Sequence, residues 1–516
     1  MQSQMKKFAT LIISAALPLS MFAQDVTIKV NTEPFKDQII PKEIYGQFSE
    51  HLGSCIYGGL WVGPESNIPN VDGYRLDVFN ALKELKVPVM RWPGGCFADD
   101  YHWRDGIGPR DQRTKLVNNN WGGTLEDNSF GTHEFLNLCE LLGIEPYISG
   151  NVGSGTVEEM SKWVEYMTAA NGPMAELREK NGRKEPWKVK YFGIGNEAWG
   201  CGGNMVPEYY SNQYRTFSTY LRDYHGNHLY KIASGASDYD YNWTEVLMKS
   251  IGDKMAGISL HYYTCKGWTG SKGSATKFDE DEYYWVIGKC LEIEPVIEKH
   301  DAIMNVYDPE KKIGLLVDEW GTWFDNEPGT NPGHLFQQNT MRDAMVASLS
   351  LDIFHRHADR VKMANIAQVA NVLQAMVLTK DDKMVLTPTY YVFKMYNVHQ
   401  DAHFLPIESD AKMIPTPDNR TRPTVSSTAS RDAQGTIHVS MTNPDLKAGQ
   451  KVVLEVGDLK GKTVSGEIIT AANIADYNDF GAAEKVNIKE FKGFKVKNGK
   501  VEIDLPAKSI ITLTVK

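Results

Sequence analysis

Eight short apolar runs, each followed by an amphipathic helical pattern, succeed one another between residues 41 and 400. Val87–Trp92 is typical of the strand patterns, and Thr156–Ala170 and Asp279–His300 are each predicted as one helix. Thr156 is suited to cap its helix, because acidic residues follow in the first turn. Eight strand–helix units predict an α/β fold, a closed (β/α)8 TIM barrel. A doubly wound open sheet is the alternative, but the chain has no phosphate loop of the kind used there.

Two glutamates lie where strands of this barrel are predicted to end. The fourth strand runs into Asn196-Glu197 in a glycine-rich turn, and the seventh delivers Glu319 beside Trp320. In such barrels the chemistry is carried by residues at strand ends, and strands four and seven can face each other across the mouth. Two facing carboxylates are what acid/base cleavage of a sugar bond requires. We expect Trp199 or Trp320 to raise the pKa of one carboxyl by excluding water.

The sequence pattern changes after Gln400. Short alternating runs such as Thr436–Met441 and Ser509–Val515 are separated by turns rich in Gly, Asp and Asn. This pattern predicts a C-terminal β-sandwich domain over residues 401–516. Residues 25–40 are interpreted as one exposed-edge strand that completes a sheet of the sandwich.

Length and charge limit the class of protein and its partners. At 516 residues the chain exceeds the usual size of a single core, which favours two domains. The hydrophobic content of 42% and charged content of 23% are those of a soluble globular protein. A net charge of -10 without a basic patch argues against a nucleic-acid partner. No apolar run of spanning length follows the N-terminus, so no membrane partner is expected.

The N-terminus has the pattern of an export signal. Lys6 and Lys7 precede an apolar stretch from Phe8 to Phe22, and Ala23 is a small residue suited to cleavage. We therefore predict that residues 1–24 are a cleaved signal peptide of a periplasmic or secreted bacterial protein.

Metal and cofactor motifs are absent from the sequence. The six cysteines form no C-x-x-C pair, and no H-E-x-x-H motif occurs. They are too few and too scattered for a disulfide scaffold, and whether any of them pair stays open. The run Gly193–Ala198 resembles a dinucleotide-binding turn, but more glycines follow it where a helix should begin. We expect no metal and no cofactor.

Short motifs lie at or near the predicted strand ends, in the order Ile44–Gly53, Arg91–Phe97, Asn128–Phe135, Gly193–Gly200, Ser259–Tyr263, Asp318–Gly321 and Ile366–Asn371. Their residues and their order resemble those of glycoside hydrolase family 51, the α-L-arabinofuranosidases. That family belongs to a large clan of barrels with catalytic carboxylates on strands four and seven. Its members also carry a C-terminal β-sandwich.

The resemblance implies a retaining mechanism. Glu197 matches the general acid/base of the family and Glu319 its nucleophile, while Asn196 would hold the 2-hydroxyl group of the sugar. The other substrate-binding positions that it implies are Glu50, Arg91, Cys96, His261, Tyr263 and Gln368. Trp121 and Trp323 are added as candidate stacking surfaces.

These positions have different expected roles. Arg91 and His261 are expected to orient the carboxylates, whereas Cys96 lies in a loop that lines the site, where an asparagine is commoner. Glu50, Tyr263 and Gln368 are expected to bind the same sugar ring.

The resemblance implies an exo-acting α-L-arabinofuranosidase that removes terminal residues from plant hemicellulose or pectin oligosaccharides. An endo-β-glycanase of the same barrel clan is one alternative, and a carbohydrate-binding protein without catalysis is another. The second alternative has no need of both glutamates. The resemblance also implies a homo-oligomer, with a hexamer as one expected form.

Overall fold

The computed structural model describes residues 25–33 and 38–516, and its centre is a closed barrel of eight strands. Strands β1 to β8 are Gly46–Phe48, Val89–Trp92, Glu145–Gly150, Tyr191–Ile194, Tyr230–Ser237, Gly257–Thr264, Gly314–Thr322 and Val361–Ala367. Each strand pairs in parallel with the next, and β8 pairs with β1 to close the ring. The predicted (β/α)8 barrel is confirmed.

The described residues contain ten α-helices. Helices α1 to α10 are Leu76–Glu84, Thr132–Leu142, Val157–Thr168, Pro173–Lys180, Pro207–Tyr220, Tyr241–Ile251, Glu280–Leu291, Ile293–Tyr307, Met341–Arg356 and Pro388–Tyr396. Thr156 caps α3 as predicted, since its side chain accepts a hydrogen bond from the Glu159 N–H. The prediction of one helix over Asp279–His300 is wrong, because α7 ends and α8 begins around Glu292. Pro295, in the first turn of α8, has no N–H to donate to the carbonyl four residues earlier, so one uninterrupted helix would lose a hydrogen bond at this point.

The loops contain two-stranded ribbons and short 3-10 helices. Two-stranded ribbons are formed by Asn70–Val71 with Tyr74–Arg75, Leu116–Asn118 with Thr124–Glu126, Val377–Lys380 with Lys383–Leu386, and Met413–Pro415 with Thr421–Pro423. Short 3-10 helices are Lys42–Tyr45, Cys96–Asp99, Trp103–Gly106, Arg110–Gln112, Gly252–Lys254, Pro332–His334 and Asn397–His399.

Two sheets form the predicted β-sandwich. The five-stranded sheet has the order Ile407–Ser409, Val26–Val30, Gln450–Glu455, Lys500–Leu505 and Phe494–Lys497. The six-stranded sheet has the order His403–Phe404, Ser426–Arg431, Ile437–Asn443, Ser509–Val515, Val464–Thr470 and Lys489–Glu490.

The strand Val26–Val30 lies inside its sheet and not at the edge. It pairs in parallel with Gln450–Glu455 on one side and antiparallel with Ile407–Ser409 on the other. The prediction of an exposed-edge strand over residues 25–40 is therefore wrong in this respect. Alternation of apolar and polar residues shows which side chains face the core, but it does not show whether a strand is paired on one side or on both.

The C-terminal part of the chain contributes residues to the core of the barrel, while the sandwich has a second core cluster of its own. The main core cluster of the barrel includes Ile469, Ile474, Val486 and Ile510 from the C-terminal part of the chain. Within the described residues, no helix is both long and apolar enough to cross a bilayer. The boundaries 41–400 and 401–516 stay predictions, and the predicted signal peptide over residues 1–24 lies outside the described residues.

Candidate active site

A bulge near the end of β7 brings two adjacent acids to the same side of the strand. Over the stretch where β6 runs from Ser259 to His261, β7 runs from Leu316 to Glu319, which is one residue more. An extra residue breaks the strict alternation of side chains along a strand. Both acids consequently reach Arg91, with Nη1 2.8 Å from Glu319 Oε1 and Nε 3.8 Å from Asp318 Oδ2.

Trp320, the next residue along β7, points to the helical layer outside the barrel. Its ring lies 5.2 Å from that of Phe354 and 6.2 Å from that of Phe393, and 1% of it is exposed. The prediction that Trp320 excludes water from a site carboxyl is wrong, because side chains alternate again beyond the bulge. The other candidate, Trp199, donates its indole N–H to the Gly235 carbonyl at 3.2 Å.

Glu319 is held by two donors. Arg91 binds its Oε1, and the Tyr263 hydroxyl donates to Oε2 at 2.8 Å. The second Arg91 nitrogen, Nη2, donates to Asn196 Oδ1 at 2.6 Å. One guanidinium therefore binds both Glu319 on β7 and the residue that follows β4 and precedes Glu197. Burial opposes the charge on Arg91, but Asp318 and Glu319 raise its pKa well above the usual value. Arg91 is therefore a permanent cation against Glu319.

Glu197 lies in the turn after β4 and differs electrostatically from Glu319. Its backbone φ of 38° is in the left-handed region, which is uncommon for a residue with a side chain. Burial raises the pKa of its carboxyl, and the negative charge of Glu319 raises it further, while a hydrogen bond with His261 opposes both effects. The result is a raised pKa, so Glu197 holds a proton to higher pH than an ordinary glutamate does.

His261 lies among three carboxylates. Its Nδ1 is 2.8 Å from Glu197 Oε1 and 3.6 Å from Glu319 Oε2, and its Nε2 is 3.2 Å from Asp318 Oδ1. Burial lowers the pKa of His261, but the three acids outweigh burial and raise the pKa to about 10. His261 is thus an imidazolium at neutral pH.

The same group is one of two clusters among the described residues whose geometry could suit a metal ion. One oxygen of Glu197, one of Glu319 and one nitrogen of His261 all lie within 4.8 Å of one another. A protonated imidazole donates from both nitrogens and has no lone pair for a metal ion. The donor chemistry therefore favours a hydrogen-bonded cluster at this position.

Glu50, in the loop after β1, forms a second polar group of the site. Its Oε1 accepts from the Trp121 indole N–H at 2.9 Å and from the Phe97 N–H at 3.1 Å, and its Oε2 accepts from Gln368 at 3.0 Å. Burial, with the charge of Glu319, raises the pKa of Glu50 to about 7. Gln368 Oε1 is buried and has no partner among the described residues, so it is available to a ligand hydroxyl.

Three aromatic side chains form a cluster next to Glu319: Tyr263, Trp268 and Trp323. The ring of Trp323 lies 5.2 Å from that of Tyr263 and 5.6 Å from that of Trp268, both at steep angles. Trp268 is 51% exposed, which is unusual for so large an apolar side chain. The rings of Tyr263 and Trp268 also lie 6.1 Å apart, so the three rings form one cluster that joins a residue bound to Glu319 with a half-exposed tryptophan.

A disulfide bond joins Cys96, after β2, to Cys201, after β4. The sulfur atom of Cys201 lies 3.6 Å from Glu197 Oε2, and that of Cys96 lies 4.0 Å from the same oxygen. The predicted position Cys96 is thus at the site and covalently linked, a pairing that the sequence left open.

The structure brings together all of the predicted site residues, and it adds four that the sequence analysis did not include: Tyr147, Cys201, Trp268 and Asp318. The Tyr147 hydroxyl donates to Asp318 Oδ2 at 2.6 Å. Asp318 stood within a motif, so its position was a usable signal. Tyr147 lies in an ordinary apolar strand pattern that carries no such signal.

Comparisons with known proteins agree with this arrangement. Residues 81–282 match the model of the α-L-arabinofuranosidase 1 domain, and residues 318–509 match that of the α-L-arabinofuranosidase C-terminal domain. A protein of Bacteroides ovatus named intracellular exo-α-L-arabinofuranosidase is 63% identical over 509 residues, which cover 98% of this chain and 99% of that one.

Two solved structures are also similar. The family 51 arabinofuranosidase of Xanthomonas axonopodis pv. citri has a TM-score of 0.93 at 48% identity, covering 95% of this chain and 100% of that one. The α-L-arabinofuranosidase of Thermotoga maritima in complex with arabinose has a TM-score of 0.83 at 28% identity, covering 95% and 99%.

The name of the Bacteroides ovatus protein contradicts the predicted location. That protein is called intracellular and aligns with 98% of this chain. The prediction of a signal peptide and of a periplasmic or secreted protein is therefore corrected. A positively charged start followed by an apolar run is a short compositional pattern, and it is less specific than similarity along the whole chain.

Similarity covers both parts of the molecule. The two family models extend from the barrel into the sandwich. The 63% identity to the Bacteroides ovatus protein continues over nearly the whole length of both chains. The chain therefore belongs to glycoside hydrolase family 51, the family of α-L-arabinofuranosidases.

Proposed function

We propose that this chain is a retaining, exo-acting α-L-arabinofuranosidase that removes terminal arabinofuranosyl residues from plant hemicellulose or pectin oligosaccharides. The observation that carries the mechanism is that one oxygen of Glu197 and one oxygen of Glu319 lie within 4.8 Å of each other. Retaining glycosidases have carboxyl groups about 5–5.5 Å apart, whereas inverting ones leave about 6.5–9.5 Å for a water molecule. The relative named as exo-acting favours that mode over an endo-β-glycanase. A binding protein would not need the acid–nucleophile pair.

Glu319 is proposed as the nucleophile. Arg91 and Tyr263 fix its two oxygens with hydrogen bonds of 2.8 Å each, and Arg91 adds a permanent positive charge. These contacts hold the carboxylate in one orientation, as attack on the anomeric carbon requires. Attack forms a covalent glycosyl-enzyme and expels the leaving oxygen.

Glu197 is proposed as the acid and then the base. Its raised pKa keeps a proton available for the leaving oxygen in the first step. After departure of the leaving group, the ionised Glu197 takes a proton from water, which attacks the glycosyl-enzyme. Neutralisation of Glu319 in that intermediate removes a negative neighbour and lowers the pKa of Glu197, as a base requires.

The remaining polar groups are proposed to bind the sugar ring. Glu50, Asn196 and Gln368 offer oxygens or N–H groups around the carboxylate pair, and Gln368 Oε1 is the unpartnered acceptor. A site that pairs several hydroxyl groups discriminates strongly, because a wrong sugar leaves buried polar atoms unpaired. Trp323 and Trp268 are proposed to contact the part of the substrate that leaves.

The assignment of roles is tested by Glu197→Ala and Glu319→Ala. Without the nucleophile, turnover of every arabinofuranoside should be lost. Without the acid, a nitrophenyl arabinofuranoside should still form the glycosyl-enzyme, because its leaving group departs without a proton. Added azide should then restore turnover in Glu197→Ala and yield arabinofuranosyl azide, which chromatography detects.

Glu208→Ala is the matched control, since Glu208 is an exposed glutamate in the first turn of α5, which follows β4. It should keep the activity of the unaltered enzyme. The assignment of acid/base and nucleophile would be wrong if both site variants lost activity equally on substrates with good and poor leaving groups and azide restored neither.

We further propose that the protein is a homo-oligomer, with a hexamer as the expected form on the basis of the family resemblance. Light scattering coupled to size-exclusion chromatography measures the mass directly. A mass equal to that of one 58.0 kDa chain would refute this proposal without affecting the mechanism.

A further inference from the structure

The disulfide between Cys96 and Cys201 is the cysteine group nearest the solvent. Cys201 is exposed and Cys96 is half-buried. The four free cysteines, by contrast, are buried: Cys55, Cys139, Cys265 and Cys290. Thiol reagents that cannot enter the core can therefore reach this bond while the protein stays folded.

Both sulfur atoms face the same oxygen of Glu197. The distances to Oε2 are 3.6 Å from Cys201 and 4.0 Å from Cys96, whereas the other oxygen, Oε1, is bound by His261. In a disulfide neither sulfur carries a hydrogen, so neither of these contacts is a hydrogen bond. Opening the bond would put S–H groups at distances from which sulfur can donate.

We propose that the Cys96–Cys201 bond is a reversible thiol–disulfide site, opened by a dithiol, whose free thiols donate hydrogen bonds to the Glu197 carboxylate and thereby control the enzyme. The inference rests on the proposed role of Glu197 as the acid/base. The co-reactant is a dithiol for opening and a low-molecular-weight disulfide, such as glutathione disulfide, for closing.

The exchange follows the usual two displacements. A thiolate of the dithiol attacks Sγ of the exposed Cys201, the bond between the two protein sulfurs breaks, and Cys96 leaves as a thiolate that takes up a proton. The second thiolate of the reagent then displaces Cys201, which is also protonated, and the reagent closes its own disulfide. The protein gains two electrons and two protons, and the dithiol loses the same number.

The expected effect is on the ionisation of Glu197. A donor that binds the charged form of a carboxyl lowers its pKa, and here the new donors are thiols. The first step needs protonated Glu197, so the reduced enzyme should lose activity at a lower pH than the oxidised one. We expect the alkaline limb of kcat/KM to move down by about 0.5–1 pH unit, a loss of roughly 3- to 10-fold on that limb.

The experiment compares one enzyme preparation in two redox states. One part is treated with glutathione disulfide and the other with dithiothreitol, both with a chelator, so that no metal ion can be held by two thiols and Glu197. Alkylation under native conditions followed by peptide mass spectrometry measures the state of Cys96 and Cys201. The pH profile of kcat/KM is then measured on an arabino-oligosaccharide, whose leaving group needs the proton.

Cysteine variants distinguish two effects of opening the disulfide: hydrogen bonding by the free thiols, and greater freedom of the loops that the bond had joined. Cys201→Ala keeps one thiol at Cys96 and, in dithiothreitol, should lose activity at the lower pH expected for the reduced enzyme. In glutathione disulfide this thiol is capped as a mixed disulfide, with release of glutathione, and the shift should be lost. The double variant C96A/C201A has no thiol and no bond, so its limb should stay at the oxidised position. Cys139→Ala, which removes a buried cysteine of α2, should retain the redox response of the unaltered enzyme.

Three outcomes would overturn the proposal. The first is that dithiothreitol fails to expose Cys96 and Cys201 to alkylation in the folded enzyme. The second is that the verified states have the same pH profile, and the third is that the double variant has the reduced profile. Failure of azide rescue in Glu197→Ala would count against the proposed function instead, and the alkylation result does not depend on it.

Discussion

At the scale of single residues, His261 is the group through which the two glutamates influence each other. It is a buried imidazolium with Glu197, Asp318 and Glu319 within 3.6 Å of its ring nitrogens. Its charge allows three acids to share one small volume, which like-charge repulsion would otherwise oppose. Because it binds the ionised form of Glu197, it also limits how far the pKa of that carboxyl rises.

His261→Gln should therefore move the alkaline limb of kcat/KM to higher pH. Removing the positive charge and its hydrogen bond raises the pKa of Glu197 further, so the acid keeps its proton to higher pH. The measurement is the pH profile of kcat/KM on an arabino-oligosaccharide. His102→Gln is the control, because His102 also pairs with a glutamate, Glu159, but does so away from the site. An unchanged limb, or one at lower pH, would contradict the electrostatic role given to His261.

At the scale of elements, α9 connects the barrel with the sandwich. Every residue of α9 from Met341 to His355 is buried. Asp352 of this helix accepts a hydrogen bond from Ser426 of the sandwich at 2.7 Å and one from Tyr396 of α10 at 3.1 Å. Burial raises the pKa of Asp352 to about 7 despite these hydrogen bonds.

The raised pKa makes stability depend on pH, and Asp352→Asn should remove part of that dependence. Below about pH 4 the aspartate is protonated in both the folded and unfolded states, so its full contribution is present there. As pH rises to about 7, only the unfolded state releases the proton readily, and the folded protein loses on the order of 2–4 kcal/mol.

Urea unfolding at several pH values measures this effect. The free energy of unfolding of the unaltered protein should fall relative to that of Asp352→Asn between pH 4 and pH 7. A constant difference between the two proteins over this range would show that Asp352 ionises normally.

At the scale of the whole molecule, the first described strand joins the beginning of the chain to its end. Val26, Ile28 and Val30 point into the core of the sandwich, with exposed fractions of 4%, 0% and 4%. Their strand lies between Ile407–Ser409 and Gln450–Glu455. Both of these partner strands come after the barrel in the sequence. The sandwich core therefore depends on residues that precede the barrel.

Ile28→Ala should destabilise the protein without altering its chemistry. Removing a fully buried isoleucine side chain costs about 2–5 kcal/mol, through lost burial and the cavity that remains. Thermal unfolding should show a lower midpoint, while kcat/KM per folded molecule should be unchanged. The neighbouring Lys29→Ala is the control, because Lys29 is exposed and its ion pair with Glu408 lies at the surface. A midpoint for Ile28→Ala that equals that of the control would contradict the packing described for this strand.

Much of the architecture follows from local sequence. Periodic apolar patterns determine where strands and helices form, and eight alternating units close into a barrel because each helix must cover the sheet. That rule also brings Asn196-Glu197 and Glu319 to the same end of the barrel. Capping is local too, which is why Thr156 could be identified as the start of a helix.

The tertiary structure decided what depends on neighbours distant in sequence. The bulge in β7 turns Asp318 toward the site, which strict alternation could not predict, whereas Trp320 points away from the site as alternation after Glu319 requires. Cys96 and Cys201 meet because β2 and β4 end at the same mouth, whereas the spacing of cysteines carries no such information. The sequence by itself determined the barrel and the strand ends that carry its glutamates, because periodicity and capping are local. Only the tertiary structure decided their charge states and partners, because burial and electrostatic contact are properties of the folded chain.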